Sequence, residues 1–437
     1  MNNNNDIKIP DIIPELERGP LWLKEKRHAS REAYNRIPLP SRNLHLWRYT
    51  DPNKFTMDRE KAVDMAFNEG YDIVEKTELN HLQEGNLAAL VTDLGGKTIN
   101  FYGLEKLISK GIVVSTLSEA VEKHYDLVEQ YLYRLVNSHT GKFEALNGAL
   151  WNDGIFIYIP KNMTIENPIH LLRESGLANS VQFPRLLIVV GENAELTIID
   201  EYGGGCQDEN KVPSYTNGTV ELFGLENSHT RYVMLQRQQP SATFYLNHRA
   251  LIEKGADMLT ITLAFGGALS KHNFGVILNG PGANSNMYGL LFGSDHQHFD
   301  NHTLHQHLSG QTTSNINFKT ALSDQAVSAY TGLIKIDHKS KNCEAYQENR
   351  NLLLNKGTKA ETIPVLEILN EDVMCSHGAT VGPVDPAQLF YLRSRGIPHT
   401  EAVRMIVNGF VDNTIKQVPK DLQKRIQTYV TERLEHI

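Results

Sequence analysis

Four segments of this chain repeat one short pattern, and that repetition constrains the fold more than any other feature. Ile188-Val-Val-Gly-Glu-Asn-Ala-Glu-Leu-Thr-Ile, Leu251-Ile-Glu-Lys-Gly-Ala-Asp-Met-Leu-Thr-Ile, Val276-Ile-Leu-Asn-Gly-Pro-Gly-Ala-Asn-Ser-Asn-Met and Leu352-Leu-Leu-Asn-Lys-Gly-Thr-Lys-Ala-Glu-Thr-Ile each read as strand, tight corner, small residue, strand. They recur at irregular intervals of about 25 to 30 residues or multiples of that, the texture of a solenoid in which each coil hides its apolar face against its neighbours. The corners sit at Gly-Ala and not at two-residue hairpin turns such as Asn-Gly, which favours stacked coils. A β-sandwich of short strands gives a similar texture. From about Phe156 to Pro386 the chain is mainly β on either reading.

Outside that stretch the apolar spacing turns helical. One helix is expected from about Leu21 to Asn35, ended by Pro38 and Pro40. Another is expected from Ser118 to Val136, with Ser118 as a cap and Leu117, Val121, Val128, Leu132 and Leu135 at mostly helical spacing. After Pro386 three more are expected: Ala387 to Arg395, Thr400 to Lys416 and Lys420 to Glu435. The organisation is thus a mixed, helix-rich region over 1–150, a β core over 151–384 and a helical subdomain over 385–437. The apolar set Leu389, Leu392, Ile406, Val407 and Phe410 is expected to pack the terminal helices on the last coils.

At 437 residues the chain exceeds what one compact core usually serves. A net charge of -8 and a pI near 6.1 give no general pull toward nucleic acid or anionic membrane. Cys206, Cys343 and Cys375 are too few and too far apart for a disulfide framework, so a reducing, cytoplasmic setting is expected. The start Met-Asn-Asn-Asn-Asn-Asp has no signal-peptide character, and no apolar run approaches the ~18 residues of a membrane span.

Chemistry concentrates between Val373 and Gly396. Cys375 and His377 are two residues apart, so on an extended backbone both project from one face as a soft-ligand pair. A buried Cys beside a hydrogen-bonded His is, in isolation, more often structural. Asp385-Pro386 offers a cap and a first-turn proline and Gly396 a stop, so this strand runs into a short helix. A second constellation is the run His296, His298, His302, His305 and His307. Its spacing fits no standard zinc pattern, so imidazoles bonded along a stack of coils stand beside transient metal contact as its readings. Cys343 falls at a corner and Cys206 follows Gly203-Gly-Gly, both read as inert or merely exposed thiols. Gly95-Gly-Lys-Thr lacks the first glycine of a phosphate loop, Val91 standing there, and reads as a plain turn. No other nucleotide, metalloprotease or hydrolase motif occurs, so energy for any cycle must come from a partner.

The Val373–Gly396 residues closely resemble the SufB/SufD family of iron–sulfur cluster assembly scaffolds, the SufD branch in particular. The resemblance runs from roughly residue 145 to the end, through Asp295-His-Gln-His-Phe-Asp-Asn-His-Thr, Ala345-Tyr-Gln, Asn349-Arg-Asn-Leu-Leu-Leu, Pro364-Val-Leu-Glu-Ile and Glu401-Ala-Val-Arg-Met-Ile-Val-Asn-Gly-Phe. In the N-terminal third it rests on Trp47-Arg-Tyr-Thr. It implies a right-handed parallel β-helix, pairing with a SufB-like chain, docking of the ATPase SufC on the C-terminal helices, and a transient iron or iron–sulfur cluster at the subunit interface. It brings His377, with Cys375, to that interface, and makes His298, His302 and His307 family-like positions. SufB proteins typically carry a Cys where this chain has Leu392, which implies that the partner supplies the principal thiolate. A reduced flavin accompanies the family's full complex, though no pattern here marks a flavin site. The chain itself is expected to make no bonds, and to form a homodimer when isolated. Two alternatives stand beside this reading: a stand-alone homodimeric scaffold, and a β-helix polysaccharide lyase or hydrolase, which wants paired carboxylates and an extracellular address.

Overall fold

The computed structural model describes residues 19–56, 80, 83–94, 98–151, 153–174, 181–203 and 214–435. Its centre is a parallel β-solenoid of about seven turns. Successive strands alternate between two sheets: Thr243–Ile252 and Leu269–Leu278 lie in one, and Asp257–Ala264, between them in the chain, lies in the other. The sheet that ends in Val373–Pro383 is called the first sheet below, and the one that ends in Lys359–Ile368 the second. In the second, Thr243–Ile252 pairs in parallel with Leu269–Leu278, then His298–His307, Val327–Ile336 and Lys359–Ile368. The stacked-coil reading holds, and the sandwich does not.

The corners explain the repeated pattern. Where the chain passes from the second sheet to the first, one residue per coil is left-handed: Asn193, Asn227, Gly255, Gly282, Gln311 and Asn342. Each lends its N–H to the coil above, as in Asn193 to Glu226 O at 3.0 Å and Gly255 to Pro281 O at 3.0 Å. Asparagine and glycine tolerate that conformation best. At Gly255, φ is +65°, and a Cβ would lie 2.2 Å from Asn227 Oδ1. The next residue points inward and must be small: Ala194, Ser228, Ala256, Ala283, Thr312 and Cys343 are all buried. Three of the four repeated segments lie on this edge, and the fourth, around Asn355, lies on the opposite one.

The coil interior is apolar, with Leu222, Phe244, Leu246, Phe274, Val276 and Met287 among the buried set. Both outer faces are covered over much of their length, which is why the strands read as near-continuous apolar runs and not as strict alternation. The N-terminal region packs on the outside of the second sheet through Trp47, Phe55, Phe143 and Tyr245. It is also continuous with the solenoid, since Ala89–Leu94 pairs in parallel with Ile169–Glu174.

The helix Leu21–Arg36 follows the expected span, as do Pro386–Ser394, His399–Ile415 and Lys420–Glu435. The Ser118–Val136 expectation is corrected: two short helices form, Leu117–Lys123 and Tyr125–Tyr131, interrupted at His124, and Thr116 is the cap, accepting from Glu119 N at 3.1 Å. The helix Lys142–Leu150 was not anticipated; every one of its residues is buried, so its sequence carries no amphipathic stripe to find. The terminal helices reach the late coils through Val407, Leu389 and Phe410, which join Leu352 and Leu354 in one apolar cluster. They cover more than expected: Val407, Val411, Ile426 and Val430 extend along the outer flank of the first sheet over Ile199, Val233, Ile261, Leu290 and Ala321, while Lys359–Ile368 and Val373–Pro383 stay exposed or half-buried.

Candidate functional site

Cys375 and His377 lie on Val373–Pro383, the final strand of the first sheet, opposite Ala345 and Gln347 of its neighbour. Ala345 is buried in the coil interior, so the alternation places Cys375 and His377 on that same inward face. Because no further coil follows, the interior opens here: Cys375 is half-buried and His377 exposed. Burial pushes the Cys375 thiol up, so alone it is a poor nucleophile, and binding of a metal there would release its proton.

The two last strands are sheet edges, each bonded to one neighbour only among the described residues. Around them Tyr346, Ile368, Leu369, Met374 and Val381 are exposed, with Phe390 and Tyr391 on the adjoining helix. Edge strands flanked by exposed apolar side chains are a template for another chain.

The histidine run splits between two faces. His305 and His307 point into the coil with Phe299, bonded to Ser285 Oγ at 3.0 Å and to Thr312 and Ser314 at 2.7 and 2.9 Å. His298 and His302 point outward, where the N-terminal segment covers them. Asp300 between them meets Lys271 Nζ at 2.8 Å, His302 Nε2 at 2.8 Å and the Thr50 hydroxyl at 2.5 Å. Thr50 also lies 3.2 Å from His298 Nε2, Lys271 donates to Leu46 O at 2.6 Å, and the ammonium sits 4.7 Å from the Trp47 ring. Burial alone would raise the Asp300 pKa, but Lys271 and His302 outweigh it and hold the carboxyl well below its usual range. Burial lowers the pKa of both histidines, His302 with further lowering from Lys271. Burial lowers the Lys271 pKa as well, against the pull of Asp300, and the bonds of Lys271 to Asp300 and to Leu46 O clamp residues 46–50 onto the second sheet. His296 sits in the turn before this strand.

Thr50 and Lys271 were missed as site residues. Trp47-Arg-Tyr-Thr and Asp295-His-Gln-His were each legible as segments, but the contact between residues some 250 apart has no local signal. Cys343 is buried as the small corner residue, 3.2 Å from Thr312 Oγ1. Cys206 and Gly95-Gly-Lys lie outside the described residues. Among the described residues no group of three His, Cys, Asp or Glu is placed to hold a metal, and no helix is long and apolar enough to cross a membrane.

Comparison with known proteins identifies the family. A family model described as SUF system FeS cluster assembly, SufBD core domain, matches residues 172–410, and one described as SufBD protein N-terminal region matches residues 17–171. The iron-sulfur cluster assembly protein SufB of Bacillus subtilis (strain 168) is 27% identical over 424 residues, covering 95% of this chain and 90% of that protein. An iron-sulfur cluster assembly SufBD family protein of Staphylococcus saprophyticus is 27% identical over 423 residues, covering 94% and 88%. One from Staphylococcus epidermidis is 26% identical over the same length. These names do not single out the SufD branch, and they leave the polysaccharide reading without support. With its core match spanning more than half its length, on a parallel β-solenoid flanked by helices at both ends, the chain belongs to the SufB/SufD family of iron–sulfur cluster assembly proteins.

Proposed function

We propose that this chain is a SufD-like, non-catalytic scaffold subunit that pairs through its open last coil with a SufB-like partner and contributes His377, with Cys375, to iron or a nascent cluster held between the two. The observation that carries this reading is the coincidence of that thiol and imidazole with an open end of the solenoid, on one of its two edge strands. Leu392, where SufB-type chains carry Cys, supports the SufD-like assignment, and iron is met as cargo by ligands from both chains. His298 and His302 act in the N-terminal clamp. A cytoplasmic setting fits the free thiols of Cys343 and Cys375.

Replacing His377 with Ala removes an exposed side chain, so folding and partner binding should persist while cluster yield in cells falls roughly tenfold, the scale of losing a metal-supporting group. Cys375→Ala should do the same or less. Normal yield in His377→Ala would remove the assignment. Light scattering should give a homodimer for the isolated chain, since the same edge is self-complementary, and a heteromer once a SufB-like chain is added. A monomer indifferent to that partner contradicts the pairing.

A SufC-like ATPase is proposed to dock on the helix Pro386–Ser394, where Phe390 is 74% and Tyr391 57% exposed. Deleting everything from Gln388 is a poor test, because it strips His399–Ile415 and Lys420–Glu435 from the apolar flank of the first sheet. Phe390→Ala with Tyr391→Ala keeps that flank covered and should weaken co-purification with the ATPase at least about tenfold. Undiminished recovery of the ATPase would move the docking surface elsewhere.

A further inference from the structure

We infer that a cavity between the last helix and one edge of the solenoid, lined by Arg237, Gln238 and Arg433, binds a small organic oxyanion, a carboxylate or a phosphate. On this edge the chain passes from the first sheet to the second, and successive corners at residues 237–242, 265–268 and 294–297 lie one above the other. Phe265 N donates to Gln236 O at 2.9 Å, and Gln297 Nε2 to Gly267 O at 2.9 Å. The helix Lys420–Glu435 packs beside these corners, its Tyr429 ring 5.6 Å from that of Phe265. Between helix and corners lies a cavity of about 340 Å³, with Arg237, Gln238, Gln239, Phe265, Tyr429 and Arg433 in its wall. That is room for a small ligand.

Its cations have bonding capacity that the protein does not use. Arg433 donates to Phe265 O at 2.5 Å and to the Ser294 hydroxyl, both neutral acceptors, and it forms no ion pair among the described residues. Burial pulls its pKa down, against the weaker effect of Asp295, Glu432 and Asp324. An anion beside it relieves that cost. Arg237 donates to Glu201 at 2.5 Å through Nε and to Glu174 at 3.0 Å through Nη2, while its Nη1 makes no hydrogen bond among the described residues. Glu201 is shared with Arg425 at 2.7 Å and His170 at 2.9 Å, so it does not answer Arg237 alone.

Gln238 supplies an independent sign of a ligand. It is 3% exposed, and its Nε2 donates to Thr216 Oγ1 at 2.9 Å, but its Oε1 is buried without a partner among the described residues. Half of a buried amide left unbonded is costly, and it marks a place for one more polar group. The Thr216 hydroxyl donates as readily as it accepts, so the amide can turn its NH2 group to the cavity when an anion enters. A purely structural role accounts for the bonds to Phe265 O, Ser294 and Glu201, but not for the open volume or the Gln238 amide. The planar fork of a guanidinium matches the oxygens of a carboxylate or phosphate, which sets the ligand class.

The test is calorimetric titration of the full chain with inorganic phosphate and with citrate at one ionic strength. At least one should bind with a Kd of about 1 mM or tighter, phosphate the tighter for a phosphate ligand and citrate for a carboxylate. Arg433→Gln removes a donor, and Gln239→Glu sets a carboxylate on the cavity wall while leaving both arginines in place; each should weaken binding at least about tenfold. Glu432→Gln, which removes an exposed carboxylate from the rim, should tighten it about twofold. Melts without anion show which variants fold. Should Arg433→Gln unfold through loss of its helix anchor, Gln239→Glu and Glu432→Gln still decide, because opposite shifts from two wall charges do not follow from a structural role of the arginines. A Kd weaker than about 1 mM for both anions, or the parent's affinity in both of those variants, would overturn the site.

Discussion

Replacing Arg185 with Ala should cost about 3–5 kcal/mol of stability, a large part of what holds a domain folded. Arg185 and Glu221 are both fully buried where the N-terminal region meets the second sheet. The guanidinium donates to Glu221 Oε2 at 2.7 Å, Val136 O at 3.0 Å and Asn147 Oδ1 at 3.1 Å. The Glu221 carboxylate also accepts from the backbone of Tyr133, Leu135 and Val136 at 2.9, 2.8 and 3.1 Å, holding Tyr133 at a φ of +64° that side chains rarely adopt. Without Arg185 the carboxylate is left buried with no counter-charge, held only by backbone N–H groups. Arg185→Met with Glu221→Gln should cost less than Arg185→Ala alone, because no orphaned charge remains. Denaturant melts of the three proteins decide this; a loss under about 1 kcal/mol for Arg185→Ala would show that the junction tolerates the charge.

Acid should unfold the protein well above the range where carboxylates titrate. Burial holds His248 and His305 down to about 3, with further lowering from Arg249 and His307 respectively, and holds His272 and His307 down to about 4. In the unfolded chain each titrates near 6.5. The folded pKa values are depressed, so between about pH 6.5 and 4 the unfolded state binds more protons and stability falls as pH falls. Above pH 6.5 the contribution is complete. Each group loses up to about 1.4 kcal/mol per pH unit within that window, so the four together remove on the order of 5 kcal/mol by pH 5.5. Denaturant midpoints between pH 7.5 and 5 give the slope, and His305→Gln should flatten it by one group's share. A flat profile down to pH 5 would mean that these imidazoles are already charged or hydrated in the folded protein.

Much of the fold was legible because its causes are local. A left-handed corner needs Asn or Gly, and the inward step after it needs a small residue; both requirements leave their mark at Asn193-Ala194, Gly255-Ala256 and Gly282-Ala283. Asp385-Pro386 and Gly396 fix the short helix in the same way, through a cap, a preset φ and a left-handed stop at φ +86°. Cys375 and His377 share a face because strand alternation makes positions two apart coplanar.

Other outcomes depend on what packs against what. That His298 and His302 face outward into a lysine-centred clamp, while His305 and His307 face inward to hydroxyls, follows from the interior placement of Phe299 and the arrival of Thr50 from the far end of the chain. Which flank the terminal helices cover was equally hidden, since Val407, Val411, Ile426 and Val430 mark an apolar stripe but not its partner. The sequence by itself determined the coil corners, the terminal helices and the pairing of the thiol with the imidazole, because each is set by backbone preferences over a few residues. Tertiary structure alone decided that this pair sits at an open end and the histidine run does not, because burial depends on whether another coil or a distant segment follows, and no short stretch of chain encodes that.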